Sequence, residues 1–268
     1  MSAYLAIFRA ALLALLGYRV AALAGLLTQG FWGVLRVSIF LACYASVAPG
    51  VRLPLSREQV IDYVWLGQAL FALLPARLDP TVAAMMKDGT IAYELSRPLD
   101  LYGWWYVRNV ALRSAPALLR APPLLLFSLL LPSPWGLHAP RELFAGGCFV
   151  LGLVSALALT AALGALLSVI TIATVNGDGV ARMFGMSSWL CSGILLPLVL
   201  LPAGVRWVLE SLPFAGIFDT PLRLYVGSLT GPAALLALAR QWLWTAVLVL
   251  LGRYLMARTL RRMVIQGG

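Results

Sequence analysis

"LFAGGCFVLGLVSALALTAALGALLSVITIATVNG", Leu143 to Gly177, contains no charged side chain and no proline. About 20 mostly apolar residues in a helix cross a hydrocarbon layer roughly 30 Å thick, and this run is longer than that. Working outward, further charge-free runs occur at Val20–Leu35, Val37–Val51, Ala121–Pro140, Met183–Val205 and Leu224–Ala239. The 268 residues are 62% hydrophobic and 11% charged, with a mean hydropathy of +0.91, a balance foreign to soluble domains. The runs lack the two-residue alternation of barrel strands, and lipid leaves backbone groups to be satisfied inside helices. The fold class that follows is an all-α integral membrane protein, with residues 1–268 as one transmembrane domain.

The pattern predicts six transmembrane helices, over about 19–48, 60–78, 101–131, 143–174, 182–201 and 233–255. Residues 1–18 are helix-forming but short and interrupted by Arg9; they read as an interfacial helix or as a poor first crossing. Arg36 lies inside the first span, where a charge either has a function or snorkels or pairs across a subunit interface. Asp100 is placed to cap the third helix, whose Trp104, Trp105 and Tyr106 suit the membrane boundary and whose Pro116, Pro122 and Pro123 loosen it. In the fourth span Gly146, Gly147, Gly152, Ala156 and Ala158 allow close helix contact, and "NGDG" (Asn176–Gly179) reads as a loop.

Residues 202–231 are too polar to cross and too apolar for an ordinary loop. Pro202, Pro213, Pro221 and Pro232 cut them into pieces of about two turns, the pattern of short re-entrant helices. Pro197, Pro202, Leu212, Pro213, Phe214 and Pro221 are the candidate external gate, and 256–268 form a basic tail.

Six crossings put both termini on one side. Arg9, Arg19, Arg77, Lys87, Arg97, Arg108, Arg113, Arg182, Arg253, Arg258, Arg261 and Arg262 fall there, against Arg52, Arg57, Arg141, Arg206 and Arg223 opposite. The bias predicts cytoplasmic termini. It also accounts for the net charge of +10 through orientation and anionic lipid contact, not nucleic-acid binding.

Several chemistries are excluded or weakened. Lys87, the only lysine, sits in "MKDG" and not in a phosphate-cradling P-loop. His138 is the only histidine, in an external turn, so multi-imidazole metal sites are excluded and no metal is expected. Cys43, Cys148 and Cys191 have no CxxC spacing and read as packing residues. Every acidic residue is read in a loop or near a span end, which weakens an ion-coupled carrier. A lipid-modifying membrane enzyme, the other alternative, needs a cluster of Cys, His or carboxylates at the interface, and the sequence offers none.

One polar segment remains, "KDGTIAYELSRPLD", residues 87–100. Gly89 permits a tight turn and Pro98 disfavours helix at Arg97, leaving Thr90 to Ser96 as about two helical turns. Together with "SGILLPLVLLP" (192–202), "LPFAGIFDTPLRLYVG" (212–227) and the terminal "RRMVIQGG", it resembles the type-2 ATP-binding-cassette (ABC) export permeases. Gly89, Ile91, Leu95, Arg97 and Pro98 match their Gly–x–Ile–x–x–x–Leu–x–Arg–Pro motif in register.

The resemblance implies an interfacial helix, six spans, a cytoplasmic coupling helix within 86–100 and re-entrant helices between spans five and six. It also implies two permease subunits, identical or related, above two separate ATPase subunits that bind ATP and Mg, in a bacterial-type inner membrane. This chain would bind no cofactor. Its coupling residues would be Asp88, Gly89, Thr90, Ile91, Glu94, Leu95, Arg97 and Pro98. Ile91 and Leu95 would present one apolar ridge, while Glu94 and Arg97 set its register.

Overall fold

A computed structural model describes residues 3–17, 19–74, 79, 82, 84–85, 100–140, 142–173 and 177–262. Among these there is no strand. Among the described residues the α-helices with both ends in view are, in order, α1 (Ala3–Leu16), α2 (Arg19–Ala45), α3 (Arg57–Ala69), α4 (Leu101–Leu130), α5 (Leu143–Ala173), α6 (Gly177–Cys191), α7 (Ala203–Ser211), α8 (Asp219–Tyr225) and α9 (Gly231–Arg262). The coupling segment, apart from Asp100, lies outside the described residues, as does the end of the basic tail.

Among the described residues four helices are long and apolar enough to cross a membrane: Leu23–Ala45 in α2, Leu101–Leu130, Phe144–Ile172 and Gly231–Arg261. The runs expected as spans two and five behave differently. α3 has only 13 residues, a rise of about 20 Å, and a 3₁₀ turn follows at Phe71–Leu73. α6 ends at Cys191, well before the expected Leu201. It also begins at Gly177, inside the stretch read as a loop.

The ends of several elements follow from local chemistry. Ser56 and Gln59 form a capping box on α3. Asp100 caps α4 as expected, accepting from the Gly103 N–H at 3.1 Å. α4 runs unbroken through Pro116, Pro122 and Pro123, the last two on an exposed face. α5 is the central helix: most of its apolar window is buried, between α4, α8 and α9. Of its small residues, Gly152 lies against Pro221 and Leu224 of α8 and Ala156 is fully buried, whereas Gly147 meets nothing.

Contacts order the helices. Gly25 faces Arg120 and Gly30 faces Leu124, so α2 and α4 run the same way. Gly33 packs under Trp65 while Tyr44 donates to the Leu55 carbonyl, so α3 returns along α2. Tyr4 lies against Gly103, and Arg253 pairs with Asp100 at 2.8 Å. The start of α1, the start of α4 and the end of α9 therefore share one end of the bundle. At the other end Trp65 Nε1 donates to the Trp135 carbonyl at 2.7 Å, and Gln59 to that of Val226 at 2.8 Å. There His138 bonds Asp62 through both its backbone N–H and its ring Nδ1.

Candidate functional site: a helix broken inside the bundle

Beyond Cys191 the backbone leaves the helix for six residues, until a 3₁₀ turn at Leu198–Leu200 that Pro197 introduces. Gly193 has φ +83°, a left-handed conformation that disfavours any side chain. A β-carbon there would stand 2.8 Å from the Tyr63 hydroxyl and 2.9 Å from the Asp219 β-carbon. Freed backbone groups inside an apolar bundle must find partners, and here other elements supply them. The Ser192 carbonyl accepts from the Asp219 N–H at 3.0 Å. The Gly193 carbonyl accepts from Tyr63 at 3.0 Å. Arg36 Nη2 donates to the carbonyls of Ile194 and, at 2.7 Å, Leu195. Asp219 Oδ1 accepts from the Leu198 N–H at 3.0 Å and from Tyr63 at 3.1 Å. Side chains from α2, α3 and α8 thus hold one interrupted helix.

Within this chain Arg36 closes the open end of α6 through Nη2. The network continues from Asp219 to Arg223, 3.2 Å away, and from Arg223 to Glu210 on α7 at 2.6 Å. The charges compensate where burial is deepest: Asp219 is 2% exposed and Arg223 9%. Asp62, Asp79 and Asp219 are all buried, and all have partners: Asp79 is paired with Arg108 of α4.

The two helices expected between spans five and six exist, but they differ. α8 is buried, and the turn before it is held by Gln241 of α9, whose Nε2 donates to the Gly216 carbonyl at 2.7 Å. α7 has no buried residue and exposes Trp207. Its C-terminal carbonyls accept from Arg240 (at Glu210) and Trp244 (at Ser211). The candidate gate residues divide accordingly. Pro202 and Leu212 bracket α7, while Pro213 and Pro221 are buried. Phe214 meets Phe184 of α6 edge to face at 5.7 Å.

Beside the break is a cavity of about 450 Å³, walled by α2, the end of α3, α6 and the break itself. Thr28, Gln29, Trp32 and Arg36 line it from α2, spaced along one helical face. Gln68, Phe71, Trp189 and Leu195 complete it. Gln29 is 5% exposed and its Oε1 has no hydrogen-bond partner. Among the described residues no cluster of His, Cys, Asp or Glu could hold a metal. Sequence reasoning passed over Tyr63, Gln29, Gln68 and Asp219. The available signals were the Asp219–Arg223 spacing in a proline-bounded segment and two glutamines in apolar runs.

Fold and site together define a multi-pass helical membrane protein with irregular, side-chain-stapled backbone beside a half-open, mostly apolar cavity into which Arg36, Gln29 and Gln68 bring polar groups. Residues 56–267 match the family described as ABC-2 family transporter protein, and the chain belongs to that family. It is accordingly a membrane transport component of an ABC transporter and not itself the catalytic unit. No curated protein and no solved structure is significantly similar to the chain.

Proposed function

We propose that the chain is the permease subunit of an ATP-driven exporter, forming the translocation path as a dimer with an identical or related permease. The observation that carries this reading is the broken α6 beside a mostly apolar cavity that holds the buried Gln29 and Gln68 and the charge of Arg36. Non-helical backbone at membrane depth is tolerated where it is buried in protein or lines a path, and intramembrane polar groups mark such paths. The six-crossing topology takes α3 and α6, each completed by non-helical backbone, as spans two and five; the shared end of α1, α4 and α9 supports it. The excess of basic residues at that end supports cytoplasmic termini in a bacterial-type inner membrane.

In this reading two copies of a separate ATPase, carrying ATP and Mg, grip residues 86–100. Asp100 ties that segment to both α4 and α9. Displacement of the coupling helix would travel up these long helices to α8 and the broken α6, where the external gate opens. Ile91→Asp with Leu95→Asp tests the coupling. Co-purification with the cognate ATPase is expected to vanish while the variant still inserts; unchanged co-purification overturns the assignment.

A further inference from the structure

Among the described residues Arg36 is the only ionisable one lining the cavity. Both its hydrogen bonds leave from Nη2 and end on neutral carbonyls. Among the described residues no carboxylate pairs with it, and Nε and Nη1 donate to nothing. The carbonyls lie just beyond the C-terminal end of α6, where a helix dipole supplies about half a negative charge at most, so compensation is partial. Asp219 is occupied by Tyr63, Leu198 and Arg223 and does not line the cavity. Next to this positive charge stand the unpartnered Gln29 Oε1 and the aromatic walls Trp32, Phe71 and Trp189.

Resting on the reading of this cavity as part of the transport path, we propose that its cargo is an acidic amphiphile: a carboxylate, phosphate or sulfonate on an apolar body. The acid would take the free guanidinium donors in a charge-assisted bond. A hydroxyl or amide N–H on the cargo would satisfy Gln29, and the apolar body would lie on the rings. A cationic amphiphile of the same shape would meet like charge in a low-dielectric pocket and be rejected. An acidic bilayer lipid and a free acidic amphiphile share this chemistry.

The test uses the full chain in phosphatidylcholine nanodiscs with three diazirine-bearing probes of one chain length: a fatty carboxylate, its amine and its alcohol. Cross-links are mapped by mass spectrometry. Labelling at Trp32, Phe71 and Trp189 is expected to favour the carboxylate over the amine by roughly tenfold. Arg36→Gln should erase that preference, whereas Arg36→Lys, which keeps both the charge and a donor for the carbonyls, should retain it. Equal labelling by acid and amine in the unaltered protein overturns the acidic class and leaves the path reading standing. Absence of labelling there by every probe overturns the path reading beneath it. Phosphatidylglycerol added to the nanodiscs separates the sources: suppressed carboxylate labelling identifies the bilayer lipid, and unchanged labelling a free cargo.

Discussion

One hydroxyl proton on Tyr63 is shared between the Gly193 carbonyl and Asp219 Oδ1. The residue is 1% exposed, so water cannot replace either contact. Tyr63→Phe leaves a buried carbonyl unsatisfied and is expected to cost about 1–3 kcal/mol. Asp219→Asn removes the charge facing Arg223 and weakens the same acceptor. The two substitutions share a partner, so their costs should be non-additive by more than about 0.5 kcal/mol. A double-mutant cycle on detergent-solubilised protein, read by denaturant unfolding, checks this; strict additivity would show that the hydroxyl and the carboxylate act separately.

At the scale of elements, α7 and α8 are neighbours in sequence with opposite surroundings. α8 and its preceding turn are pinned by Gln241, which donates to Gly216 and Gly152 and accepts from Ser155 at 2.6 Å. Gln241→Leu is expected to lower stability by about 1–3 kcal/mol, since it strands the Gly216 carbonyl in the core while the Ser155 hydroxyl and the Gly152 carbonyl keep each other. Trp207→Ala on exposed α7 should stay within about 0.5 kcal/mol. Thermal unfolding of both variants separates a buried short helix from a surface one. The prolines that divide 202–231 made both helices legible in the sequence, because proline limits where a helix can start and continue. Which helix is buried was not legible, since it depends on α5 and α9 supplying Gly152, Ser155 and Gln241 at the right height. Where α3 gives way to a 3₁₀ turn was not legible for a similar reason: between Asp62 and Pro75 only Gln68 interrupts an otherwise apolar run, and apolarity does not distinguish helix from buried turn.

For the whole molecule, the orientation is open to direct measurement. In a background lacking Cys43, Cys148 and Cys191, Ser133→Cys is expected to react with a membrane-impermeant maleimide in intact cells. Arg261→Cys should react only after permeabilisation; the reverse pattern would place the coupling segment outside and remove the basis for a cytoplasmic ATPase. The sequence by itself determined that the chain is a helical membrane protein, the order of its long helices, the Asp100 cap and the asymmetry of basic residues. These depend on composition and on neighbours within a few turns. Only the tertiary structure decided the fate of Arg36, whose carbonyl partners lie 158 and 159 residues away, and the burial of Asp219 among groups from α3, α8 and the break beyond α6. The physical reason is that a helix can break inside a bundle wherever distant side chains take up its freed carbonyls, and no local pattern records which side chains those will be.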